Sequence, residues 1–368
     1  MAKKKSELQL AQEDAQFALN RVNRKINKLG ECTSDLYKTM GNVQIMFDRI
    51  RNVPTEQKLQ YEKLRQIREN WKQQAEKIEA DYQKATVKGA GAGAAGAGVG
   101  VAVAALGPSA AMGVATTFGV ASTGTAISSL HGIAATNAAL AWLGGGALSA
   151  HGGGIAAGQA LLGLAGPVGW TIAGVAIVTS GLVFWLAIDE KNRLEKIFTL
   201  ISKRDTNTYK LADVELAERI DRIKDENSKL IDAVNKIWTF GTDYSSMTEA
   251  QQYQLISYLN LMNSTTQLLT NPILGLQPKY THEDFELFIA NNEVDDLYAY
   301  TAFKDIAVSL ANFLYGIDMD SKDVKVLWKF MRKNKEMLKA HGIHADSTDL
   351  HYVETPYRAL KYKYVSAV

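Results

Sequence analysis

No aspartate, glutamate, lysine or arginine occurs between Lys88 and Asp189. That leaves 100 consecutive uncharged residues, 89–188, holding 23 of the chain's 29 glycines. Soluble domains carry roughly a quarter charged residues, so a run of this length constrains the chain more than any other feature. Each side of it is ordinary. Residues 1–88 carry 18 basic and 12 acidic side chains, and residues 189–368 carry 23 and 27. Such balanced flanks exclude a nucleic-acid binder of the strongly basic kind. The basic side favours anionic lipid headgroups beside an apolar segment.

Length divides the uncharged run into candidate membrane segments, since a spanning helix needs about 20 apolar residues. Val168–Ile188, "VGWTIAGVAIVTSGLVFWLAI", is the strongest: Trp170 and Trp185 lie near its two ends, and charge resumes at Asp189. Gly89–Gly107, Ala110–Leu130 and Ile133–Ala150 are of similar length but rich in Ala, Gly, Ser and Thr, which add little insertion free energy. Small residues four apart, as at Gly89/Gly93, Gly96/Gly100 and Gly154/Gly158, let helix backbones approach closely in lipid. The candidate insertion and packing residues are therefore Gly89, Gly93, Gly96, Gly100, Gly152, Gly153, Gly154, Gly158, Trp142, Trp170 and Trp185. His131 and His151 are the only ionisable side chains in the run, and their protonation in mild acid would change the cost of insertion. A plain alternative for them is neutral histidines in loops. For the block as a whole the alternatives are a buried helical hairpin in a soluble protein and a flexible linker. Glycine's cost of about 1 kcal/mol per helical position argues against the first, and the apolar continuation against the second.

The flanks read as long amphipathic helices. Leu19, Val22, Ile26 and Leu29, then Leu36, Met40, Val43, Phe47 and Ile50, recur at helical spacing until Pro54 interrupts them. Leu64, Ile67, Trp71, Ala75, Ile78, Tyr82 and Ala85 follow at near-heptad spacing. Beyond the block, Leu216, Ile220, Ile223, Asn227, Leu230, Val234 and Ile237 repeat the pattern, with Asn227 as a register-setting polar residue in the seam. These stripes fit helix-bundle packing or an extended coiled coil, with the arms as antiparallel neighbours and the block at their connected end. "SKDVKVLWKFMRKNKEMLKAHGI" reads as an amphipathic helix ending at Gly342, and "THEDFELFIANN" starts one. No period-2 strand series is present. The expected fold is all-α, with a helical arm over residues 1–88, the glycine-rich block over 89–188, a second arm over 189–239 and a helical C-terminal domain over 240–368.

The segment Ser122–Gly163 resembles the glycine-zipper segments of bacterial membrane-active proteins and effectors, and "GGGIAAG" at Gly152–Gly158 is similar to the small interferon-induced glycine-rich membrane proteins of animals. Amphipathic helices bracketing a hydrophobic hairpin resemble α-helical pore-forming toxins and the apolipoprotein L group. The resemblance covers the block and its arms, not Phe240–Val368. It implies a protein that is soluble first and later inserts a sequestered segment.

Chemical motifs fail on context. Gly91–Gly96 fits G-x-G-x-x-G by letter, but a helix precedes it and no acidic residue follows for the length of the block, so a nucleotide site is not expected. His341, His344, Asp346, Asp349, His351 and Glu354 crowd the C-terminal part without the H-E-x-x-H order of a zinc site, and read as a polar surface loop. Cys32, the single cysteine, has no histidine nearby in sequence and allows no internal disulfide. No catalytic residue, cofactor or metal is expected, and the N-terminus has no secretory h-region. The expectation is a membrane-active protein made in the cytoplasm. Its partner would be a lipid bilayer and its own copies, not nucleic acid, with a partner or immunity protein left open. The alternatives are a constitutive membrane scaffold or sensor, and a soluble helical interaction protein with the block as its core.

Overall fold

A computed structural model describes residues 5–89, 186–271, 273–276, 279–280, 282–292, 294, 301–333 and 349–365. Among them the chain is all-α, and its one β feature is an isolated parallel bridge between Arg51 and Asp243. Eight helices follow in order: α1 Glu7–Asp48, α2 Thr55–Gly89, α3 Ile188–Ile237, α4 Glu249–Thr270, α5 His282–Asn291, α6 Thr301–Leu314, α7 Ser321–Lys333 and α8 His351–Val365. With 42 and 50 residues, α1 and α3 are about 63 and 75 Å long at 1.5 Å per residue. Their starts are chemically marked. Ser6 accepts a hydrogen bond from the Gln9 N–H, and the Gln9 side chain accepts one from the Ser6 N–H. Thr248 and Gln251 repeat that box before α4.

Side-chain pairs fix the directions of these helices. Glu7 meets Lys203, Lys25 meets Asp213 at 2.9 Å, and the Arg51 N–H donates to Thr242 O at 2.9 Å. Residue numbers rise together, so α1 and α3 run parallel. Along α2 the order reverses. The Tyr61 hydroxyl donates to the Asp48 carboxylate at 2.8 Å, Arg68 donates to Gln44 Oε1 at 2.6 Å, and Trp71 stacks on Tyr37 with ring centroids 5.7 Å apart. The α4 helix likewise runs back along α3: Ser264 donates to Glu226, and Arg219 donates to the carbonyls of Leu268 and Asn271. The result is a four-helix bundle in which α1 and α3 point one way and α2 and α4 the other, with α2 and α4 in mutual contact. The arms were expected as antiparallel neighbours; instead the extensive partner of α3 is α1, which lies parallel to it, while α2 runs in the opposite direction and packs on α4.

The apolar stripes meet in the bundle core, where Val22, Ile26, Leu29, Leu36, Met40, Val43, Leu216, Ile223 and Leu230 are fully buried. Asn227 is half-buried, and its side-chain oxygen is buried without a hydrogen-bond partner. Register is set elsewhere in the seam, at Asp213 of α3, a buried carboxylate that Arg21 and Lys25 of α1 both reach. Burial pushes the Asp213 carboxyl up, but Lys25 and Arg21 together bring it below its ordinary value. A depressed carboxylate stabilises the fold above its unfolded pKa and loses that contribution as pH falls through the folded value. Asp213→Asn is expected to cost about 1–3 kcal/mol at pH 7. The gap to wild type should narrow at pH 3, as seen by urea denaturation at both pH values.

A second core is built on the first turns of α1 and α3. Leu8, Leu186, Leu194, Ile197, Phe198 and Ile201 are buried with Phe285, Phe313, Leu327, Phe330 and Val353 from α5–α8. Phe198 holds Phe330 edge-on at 5.5 Å and Phe313 tilted at 5.9 Å. The segment beyond Phe240 therefore contributes to both cores: α4 to the bundle, α5–α8 to a helical head on the starting ends of α1 and α3.

Candidate functional site

The uncharged run begins at the last residue of α2 and ends at the first residue of α3. Gly89 closes α2, which runs toward the starting ends of α1 and α3, and the chain is described again from Leu186, where α3 begins. Leu186 is buried in the second core. Ile188, the last uncharged residue, is 82% exposed. This root, with the head packed on it, is the candidate functional site.

Charge pairing ties the root to α7. Arg193 donates to Asp320 at 3.0 Å and to Asp323 at 2.8 Å, and also to Asp189 one turn before it at 3.2 Å. Glu190 accepts from Lys329 and, at 3.1 Å, from the Ala187 N–H that opens α3. Lys203 reaches Glu7 of α1 at 2.6 Å. The next residue, Arg204, donates to the carbonyls of Phe313 and Tyr315 and so closes the C-terminal end of α6. These contacts hold α3, α6 and α7 in a set geometry just after the block.

The acid response of this clamp follows from its carboxylates. The hydrogen bond from Lys329, then that from the Ala187 N–H, holds Glu190 below its ordinary value. For Asp320 the Asp323 N–H is the leading cause, and Arg193 adds to it. Both groups therefore stabilise the fold above the ordinary carboxylate range and lose that contribution only as pH falls through their depressed values. Mildly acidic conditions leave Glu190 and Asp320 charged.

Of the residues nominated from sequence, Gly89 is the last residue of α2. Gly93, Gly96, Gly100, Gly152, Gly153, Gly154, Gly158, Trp142, Trp170, Trp185, His131 and His151 lie outside the described residues, as does the Gly91–Gly96 stretch. Among the described residues no helix is long and apolar enough to cross a membrane. No group of three potential metal ligands occurs among them either. From the C-terminal polar cluster, Asp349 accepts from the His351 N–H at 2.9 Å, an N-terminal capping contact of α8, and His351 lies 3.7 Å from Glu354 on the same helix. His341, His344 and Asp346 lie outside the described residues. Cys32 is half-buried on α1, and burial pushes its thiol pKa up, the opposite of what a nucleophile needs.

The sequence reading missed the clamp and the outward face of α7. Lys322, Lys325, Lys329 and Arg332 sit at i, i+3, i+7 and i+10, all exposed, opposite the buried Val324, Leu327, Phe330 and Met331. That spacing was available in the sequence. Its position against the root of the block is a tertiary fact.

Fold and site together define an all-α protein: a four-helix bundle with a helical head on the end where α3 follows a long uncharged segment. No protein-family model, curated protein or solved structure matches the chain.

Proposed function

We propose that this is a membrane-active protein whose glycine-rich segment, residues 89–188, enters a lipid bilayer while the bundle and head stay on one side. In this reading the chain is soluble first, and insertion with self-association forms a pore or disrupts the bilayer, as a toxin or defence effector would. The observation that carries it is the charge-free run of 100 residues. Burying even one lysine or aspartate at mid-bilayer is costly, so a segment with none is suited to lipid over its full length.

A segment whose two flanks both stay on one side of a bilayer crosses it an even number of times. Four candidate segments satisfy that count. Gly89/Gly93, Gly96/Gly100 and Gly154/Gly158 would bring the crossing helices, or copies of the chain, into close contact. Trp170 and Trp185 would sit at the two interfaces of the last crossing.

Purified full-length protein added to dye-loaded vesicles tests this. Release of dye and co-flotation with lipid, at neutral pH or at pH 5, are expected. No release and no co-flotation at either pH would overturn the reading. Tight co-flotation with no release would favour a membrane scaffold without lytic action.

A further inference from the structure

The geometry points to the outward face of α7 as a docking surface for anionic lipid headgroups, seating the head on the bilayer beside the root of the block. This inference rests on the membrane reading above and adds to it a lipid preference and the residues that set it.

α7 has a buried side and a cationic side. Val324, Leu327, Phe330 and Met331 pack into the second core. The opposite side carries Lys322, Lys325, Lys329 and Arg332 over three turns, each exposed. The acidic groups nearby are already engaged. Asp320 and Asp323 hold Arg193, and Glu190 holds Lys329. Among the described residues no carboxylate pairs with the side chains of Lys322, Lys325 or Arg332. The Arg332 guanidinium lies over the Trp328 ring at 5.4 Å, which orders it on the surface without neutralising it. Three cations are thus left facing outward on a helix bolted to the first turn of α3.

Position selects the partner. The Lys329–Glu190 and Arg193–Asp323 pairs fix this face to residues that directly follow the uncharged run, next to the exposed Ile188. Basic side chains immediately beside a membrane segment are attracted to anionic headgroups, and that attraction decays within a Debye length of the surface. An acidic protein or a nucleic acid would match the charge but would have no reason to require the root of an apolar segment.

The test is vesicle co-flotation of the full chain and of the triple variant Lys322→Gln/Lys325→Gln/Arg332→Gln. The vesicles are pure phosphatidylcholine, or phosphatidylcholine with about 30% phosphatidylserine. Wild type should bind the anionic vesicles more tightly, and the variant should lose that preference at roughly 5-fold per charge, about 100-fold in all. A matched triple at the far end of the bundle, Arg51→Gln/Lys58→Gln/Lys236→Gln, should keep the preference. Unchanged far-UV circular dichroism and melting temperature show that both variants fold. Equal binding of wild type to the two vesicle types would overturn this inference and leave the membrane reading standing. So would a variant with undiminished preference, or a wild type that binds heparin or polynucleotide but shows no serine-lipid preference. Failure to bind either vesicle would overturn both.

Discussion

Replacing Trp71 by alanine is expected to lower the unfolding free energy by about 3–5 kcal/mol, the range for a large aromatic removed from a core. Trp71 is fully buried, stacks on Tyr37, and lies three residues from Arg68, which is itself buried with Gln44 as its side-chain acceptor. The loss comes from packing and not from hydrogen bonding, because the indole N–H of Trp71 is buried without a partner. Trp71→Phe should therefore cost much less: it keeps a ring against Tyr37 and removes an unsatisfied donor. Urea denaturation of the two variants gives the comparison. The consequence reaches the site, because Trp71 anchors the helix that leads into the uncharged run.

The second large effect concerns the run itself. Ile177→Asp places a carboxylate at the middle of Val168–Ile188. On insertion scales that exchange costs roughly 3–4 kcal/mol at the centre of a spanning helix, a drop of about 100-fold or more in the inserted population. Dye release should fall accordingly, and a melting temperature measured alongside separates lost insertion from lost folding. Ile177→Leu keeps the apolar character and should release dye as wild type does. If Ile177→Asp releases dye at the wild-type rate, this segment is not the one that crosses.

Much of the fold was legible because helical periodicity records which side of a helix is buried. Leu36, Met40, Val43 and Phe47 of α1 and Leu216, Ile223 and Leu230 of α3 were readable as a seam and are buried as one. Direction was not legible. A seam residue carries no sign, and with an uncharged segment of 100 residues between the arms either a parallel or an antiparallel pairing was open. The parallel pairing of α1 and α3 rests on contacts separated by about 190 residues, such as Lys25 with Asp213. Asn227 shows the same limit from the other side. A polar residue in a seam reads as register-setting, yet the buried oxygen of Asn227 has no partner, while Asp213 meets cations on two successive turns of α1. At the site, the basic spacing on α7 was visible but its meaning depended on Glu190 and Arg193, more than 120 residues earlier in the chain. Ion pairs between distant segments leave no local pattern to read.

The central claim is that residues 89–188 enter lipid while both ends stay on the side of the bundle. Single cysteines placed in a Cys32→Ser background test it most directly, with a thiol reagent that does not cross membranes. The positions are Glu76→Cys on α2, Ala187→Cys at the start of α3 and Ile177→Cys within the run. Glu76 and Ala187 are exposed in the folded chain. After vesicles are added from outside, Glu76→Cys and Ala187→Cys should label at the rate seen without lipid, and Ile177→Cys should become protected. Labelling of Ile177→Cys that lipid does not slow, or protection of either flank until the vesicles are lysed, would contradict the claim.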